Sequence, residues 1–385
     1  MVNPAYFDNA ATTFPKPESV YDFADEFYRT YGANAGRGQY PMVARATELI
    51  DETRNLLLTL YRCNNKQTIF TSSATEALNK ILFGLEIPQS STVYISPLEH
   101  NSVTRVVHAI KRTKQIEVKL LPFDKKTLEY DEEQASLDFE DSRPAVVVST
   151  HASNVCGAVL PIENIFAQAK EHGAVTIADM SQTFGLIELN LASRNIDYAV
   201  FAGHKSLLAP FGVGGFICDE TARLAPVFYG GTGSNSSSQD ISETLQESIE
   251  IGSPNIYALA GLNASLKWIL ENGLPEVRNL ERKHTDTLLS LLQSYRNITI
   301  VADNPSCDRI GIVSALFDNY TPDEIGKVFG NNNIAVRAGL HCSPYAHSFL
   351  DTAPNGSVRF SVSSLTVKDD FMALENVLDY IRDNG

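Results

Sequence analysis

Short apolar runs alternate with longer helical stretches through the chain up to residue 205: QTIFT (67–71), TVYIS (92–96), EVKLLPF (117–123), AVVVST (145–150), AVTIAD (174–179) and YAVFAG (198–203). A run that is apolar on both faces suits a strand covered by helices on either side, so the alternation predicts an α/β fold around a mostly parallel sheet. Ligands of such sheets bind beyond the carboxyl ends of the strands, and the residues just after each run are where chemistry is expected. The polar segment GGTGSNSSSQD (230–240) has too little apolar content to pack and is either a mobile flap or a contact with a partner. From about Ile256 to Tyr295 helical periodicity takes over. Short strands near 298–301 and 309–317, a helix from Thr321 and a terminal helix from about Val367 complete the pattern. The expected division is a large domain over residues 15–255 and a smaller α+β domain made from 1–14 and 256–385. A chain of 385 residues with 43% apolar content can fill both cores.

A formal net charge of −15 repels phosphate backbones and anionic lipid, which disfavours nucleic-acid and membrane binding and leaves small molecules or proteins as partners. The N-terminal MVNPAYFDNAATTFPKP lacks a basic stretch followed by an apolar one, and no segment approaches the roughly 20 apolar residues that span a bilayer. A cytoplasmic location is therefore expected. The five cysteines, Cys63, Cys156, Cys218, Cys307 and Cys342, form no CxxC pair and an odd set, which argues against a disulfide framework and against a structural zinc site.

Lys205 follows His204 just beyond the run YAVFAG and precedes a turn rich in Pro and Gly. It is either a surface lysine or, if burial lowers its pKa, a nucleophile held in a cleft. Asp179 closes AVTIAD and is either a helix cap or an acid poised against a ring nitrogen, with Gln182 one helical turn on. Ser73 to Glu76 fits a capping box, so the helix start bearing Thr75 is also a candidate phosphate cradle. His100, after another strand, is either a satisfied loop residue or an aromatic surface for a cofactor. Asn154 is either a turn residue or a hydrogen-bond partner for a ring hydroxyl.

Together these blocks resemble the class V aminotransferase family, a group of pyridoxal 5'-phosphate (PLP) enzymes, and in particular its group II cysteine desulfurases and selenocysteine lyases. The resemblance runs through DNAATT (8–13), NAGRG (34–38), ATEA (74–77), EH (99–100), SNVCG (153–157), Asp179, GHK (203–205), GSPN (252–255), VRAGLHC (336–342) and GSVRFS (356–361). It implies the fold type I architecture of PLP-dependent transferases. It further implies that Lys205 holds the cofactor covalently, Asp179 faces the pyridine nitrogen and His100 stacks on the ring, with Asn154 and Gln182 at the ring oxygen. Ala74, Thr75 and His204 would hold the phosphate, joined by Ser253 from the second subunit of a homodimer. Arg359 would bind the substrate carboxylate through its fork, with Asn154 beside it. Cys342 would take the sulfur and pass it to an acceptor protein.

Some positions depart from the resembled pattern. Ala202 stands where many relatives carry a phosphate-binding Ser, Ser253 replaces a common Thr, and DMSQ (179–182) replaces DGAQ or DAAQ. The expected activity is conversion of L-cysteine to L-alanine with a persulfide formed on Cys342, extending to selenocysteine. His341 and Arg337 are expected to favour the Cys342 thiolate. The alternatives are a PLP-dependent lyase or aminotransferase acting on another small amino acid, such as a cysteine desulfhydrase, and a catalytically silent scaffold. An intact Lys205, Asp179 and Arg359 speak against the last.

Overall fold

The computed structural model of the chain describes residues 4–36, 38–231, 239–240 and 244–384. Most of the 230–240 segment, and Arg37 of the NAGRG block, lie outside them. The chain opens with β1 (Ala5–Tyr6), α1 (Glu18–Tyr31) and α2 (Pro41–Leu60), then β2 (Lys66–Thr71) and α3 (Ala74–Gly84). Next come β3 (Thr92–Ile95), α4 (Asn101–Lys114), β4 (Glu117–Leu120), α5 (Glu132–Asp141), β5 (Pro144–Thr150), α6 (Ile162–Glu171) and β6 (Val175–Asp179). Strands β7 (Tyr198–Ala202) and β8 (Gly214–Asp219) follow, then α7 (Leu245–Ile249), α8 (Ile256–Asn272) and α9 (Leu274–Gln293). The remainder is β9 (Ile298–Ile300), β10 (Ile312–Phe317), α10 (Pro322–Asn331), β11 (Ile334–Ala335), β12 (Arg337–Gly339), α11 (Pro344–Phe349), β13 (Ser357–Ser361) and α12 (Lys368–Asn384).

Seven strands form the large sheet in the order β2-β8-β7-β6-β5-β3-β4. Strand β8 runs antiparallel to both its neighbours, so the other six point the same way and their carboxyl ends share one edge. Period-two alternation sends Val146 and Val148 of β5 into one apolar layer, with Ile81 of α3 and Val103 and Val107 of α4. Val147 enters the opposite layer, with Phe166 of α6 and Leu262 and Leu266 of α8. Helix α8 lies past residue 255 but packs against α1 and α2. Its Ile256 and Ala260 share a cluster with Phe27, Ala46 and Leu49.

A second sheet, β12-β13-β10-β9, is antiparallel. Its core joins Leu288 and Leu292 of α9, Ile325 and Phe329 of α10 and Leu374 and Leu378 of α12, and it takes in Phe7 from the N-terminal segment. That segment pairs β1 with β11, is held to β13 by Asn9 Nδ2 donating to the Ser361 carbonyl at 2.8 Å, and then reaches the large sheet through Thr13 N–H on the His204 carbonyl at 3.1 Å. Among the described residues no helix is long and apolar enough to cross a membrane.

Candidate active site

A cavity of about 220 Å³ opens at the shared carboxyl edge of the large sheet. Ala74, Thr75, His100, Asn154, Asp179, Gln182, His204, Lys205, Cys342 and Arg359 all line it, so nearly every candidate residue meets at one place. Ser253 does not line it. That side chain is exposed beyond α7.

Each group is aimed by its local fold. Asp179 is the last residue of β6, and its Oδ1 accepts hydrogen bonds from the Ser181 N–H at 3.0 Å and from the Ser181 hydroxyl. Its Oδ2 has no hydrogen-bond partner among the described residues. Lys205 follows β7, the strand beside β6, and its carbonyl is held by the Thr13 hydroxyl at 3.1 Å. Burial outweighs the attraction of Asp179 and, helped by Arg359 and Arg337, pulls the Lys205 amine down to about 8. A minority that is appreciable for a lysine is therefore neutral near physiological pH.

His100 caps α4: its Nδ1 accepts the Ser102 N–H at 3.0 Å. Burial, then the nearby Lys205, lowers its pKa to about 4, so the ring is neutral and fit to stack on an aromatic face. Beneath it Glu99 is fully buried. One carboxylate oxygen accepts from the Ser96 hydroxyl and the Thr150 N–H, each at 2.6 Å, while Oε2 has no partner. Burial raises its pKa to about 8.

At the start of α3, Ser73 accepts from the Glu76 N–H at 3.2 Å, the expected half of a capping box. The Glu76 carboxylate turns to the Ser72 N–H at 2.9 Å instead of back to Ser73. The first N–H groups of the helix thus remain available to an anion. Gly214 of β8 runs directly beneath: a Cβ there would lie 2.6 Å from the Ser73 carbonyl carbon and 2.7 Å from the Ala74 nitrogen. His204 stands at the same end of the cavity, stacked on Phe211 with ring centroids 4.6 Å apart, and its Nδ1 is buried without a partner. An anion at this helix start would give that nitrogen a partner.

Arg359 of β13 is buried to 2% exposure. Its Nη1 donates to the Asn154 carbonyl and its Nη2 to Asp8 Oδ1, each at 2.9 Å. Asp8 Oδ2 also meets Arg337 at 3.2 Å. The Arg359 Nε–H is buried and unpartnered, one edge of the fork left open for a carboxylate. Cys342 is exposed on a turn whose His341 and Cys342 both take positive φ, 49° and 58°, a costly conformation for residues with a Cβ. The turn is pinned by three hydrogen bonds, two to Asn154 and one from Asn101. Asn154 Nδ2 donates to the His341 carbonyl at 2.8 Å, the Ser343 hydroxyl donates to Asn154 Oδ1 at 2.7 Å, and the Asn101 N–H donates to the Cys342 carbonyl at 2.7 Å.

One expectation is corrected. His341 is buried, Nε2 lies 3.1 Å from the Ser357 hydroxyl, and burial next to Arg359 drives its pKa far down. The imidazole is neutral and supplies no positive charge to the thiol. The sequence assigned no role to Asp8, Ser181 or Ser343; Asp8 and Ser343 meet their partners Arg359 and Asn154 only in the fold, whereas Ser181 bonds to Asp179 two residues before it.

The family model described as aminotransferase class-V matches residues 5–374. A probable cysteine desulfurase of Aeropyrum pernix is 31% identical, with 98% of this chain and 94% of the relative covered. Another, from Methanothermobacter thermautotrophicus, is 28% identical over 99% of this chain and 95% of the relative. Among solved structures, the apo cysteine desulfurase of Thermococcus onnurineus superposes with a TM-score of 0.91 at 24% identity, covering 99% of this chain and 95% of that one. An Escherichia coli cysteine desulfurase gives 0.84 at 21% identity over 98% and 94%. These likenesses show the fold type I architecture.

Proposed function

The chain belongs to the class V aminotransferase family, and on that premise we propose that it is a PLP-dependent cysteine desulfurase, turning L-cysteine into L-alanine and a persulfide on Cys342. The observation that carries this reading is the pinned, exposed Cys342 at the wall of the same cavity as Lys205, Asp179 and Arg359. The residues fit the cofactor: an open helix start and an unpartnered His204 nitrogen suit a phosphate, a neutral His100 suits an aromatic ring, and Asp179 keeps one carboxylate oxygen free. When bound, PLP withdraws electrons from the α-carbon of the attached amino acid and makes its β-substituent labile.

The protein's own groups do the rest. Arg359 anchors the α-carboxylate through its open edge. Lys205, neutral in part at pH 7, takes the Cα proton. The Cys342 thiolate attacks the substrate sulfur, so an S–S bond forms as the C–S bond breaks, and the electron pair left on carbon is protonated as alanine departs. Cysteine plus the Cys342 thiol thus yields alanine plus the Cys342 persulfide, which a thiol of an acceptor protein then takes. In Cys342→Ala, alanine release from L-cysteine should fall to background and no sulfur adduct should appear by mass spectrometry, while PLP remains bound. Undiminished alanine production would overturn the role of Cys342, and pyruvate with sulfide in place of alanine would favour a desulfhydrase.

A homodimer is part of this proposal. Ser253 lies outside its own cavity, and exposed Phe211, Phe228 and Tyr229 leave an apolar surface beside it that a second copy would cover. The five free thiols suit a reducing, cytoplasmic setting.

A further inference from the structure

We propose that Ser181 is a positioning residue for Asp179, fixing the carboxylate that faces the cofactor ring; this rests on the PLP reading above. Asp179 is 4% exposed at the end of β6, and two donors from one residue, the Ser181 N–H and hydroxyl, converge on the same oxygen, Oδ1. Ser181 itself is buried. Two donors on Oδ1 lock the rotation of the carboxyl group, so Oδ2, which meets no donor among the described residues, is left for the cavity that Asp179 lines as the acceptor for a ring N–H. The backbone donor would exist with any residue but proline at 181. The hydroxyl is what this chain adds: DMSQ stands where the resembled pattern has Ala before Gln. It holds the proton on the ring side of the contact, which strengthens electron withdrawal.

The test compares wild type with Ser181→Ala and Ser181→Thr, each stripped of cofactor and titrated with PLP, and then measures the 15N chemical shift of the ring nitrogen in the loaded proteins. Loss of a hydrogen bond to a charged acceptor predicts about tenfold weaker PLP binding for Ser181→Ala, with the 15N signal moved toward the unprotonated pyridine. Ser181→Thr, which keeps the hydroxyl, restores both values. Equal affinity and an equal 15N shift in wild type and Ser181→Ala would overturn the role of Ser181 alone, as would a Thr variant that folds but behaves like Ala. A wild-type protein that takes up no PLP would overturn the reading of the site as well.

Discussion

At the scale of single residues, most of the chemistry here is set by burial. Glu99 shows it most clearly, because its pKa rises to about 8 from the ordinary value of about 4.3. The fold prefers the protonated acid, so this stabilisation is complete below the unfolded pKa and is lost as the pH climbs through about 8. Glu99→Gln copies the neutral acid, so its melting temperature should gain on wild type by roughly a few degrees between pH 5 and pH 8. An identical difference at both pH values would show that Glu99 does not titrate in the fold. Arg359 makes the opposite case, a charge that stays buried because Asp8 and the Asn154 carbonyl hold it. Arg359→Lys loses the planar fork, so it should weaken L-cysteine binding by about tenfold or more while PLP affinity changes little. Equal losses for both in separate titrations would make the residue structural. Residues such as Lys205, Asp179 and His100 were legible from sequence because each stands at the end of an apolar run or within four residues after it. Asp8 with Arg359, and Asn154 with Ser343, were not, since each pair joins positions far apart in the chain.

At the scale of elements, the predicted strands before residue 205 all appear, and the carboxyl edge they share places the site. Strand β8 went unread because GGFICD begins with two glycines, which weaken any local strand signal. Both are required by close approaches that only the fold reveals, Gly214 beneath α3 and Gly215 against the Ile69 carbonyl. Gly214→Ala would press a Cβ against the Ser73 and Ala74 backbone, and since neither can yield without moving α3, a cost of about 1–3 kcal/mol is expected. The displaced helix start should bind PLP and inorganic phosphate more weakly, and thermal melts beside both titrations check this. Lower stability with both affinities unchanged would show that the α3 start is not the anion site. Helix α8 teaches a related lesson: its periodicity is readable, but which core it joins depends on α1 and α2, which no pattern inside α8 encodes.

At the scale of the whole molecule, the question is whether one chain completes its own site. In the proposed dimer each site takes Lys205 from one subunit and Ser253 from the other, and this arrangement can be separated from a self-sufficient chain by mixing two defective proteins. Lys205→Ala removes the proton-transfer group, and Ser253→Asp sets a carboxylate against the partner's bound phosphate, so each homodimer should be nearly inactive. In a hybrid, both lesions fall into one site and the other site receives an intact Lys205 and an intact Ser253. Random reassortment makes half the dimers hybrids with one working site of two, so alanine production should recover to about a quarter of the wild-type rate. Recovery should follow the kinetics of subunit exchange and be absent when the two proteins are combined without dissociation. If Ser253 serves the cavity of its own chain, every hybrid site carries one lesion and activity stays at the level of the parents. Sedimentation equilibrium on the same samples completes the test: a dimer without recovery would place Ser253 at the cavity of its own chain, an active Ser253→Asp parent would place it away from the phosphate, and a loaded, active monomer would remove the shared site altogether.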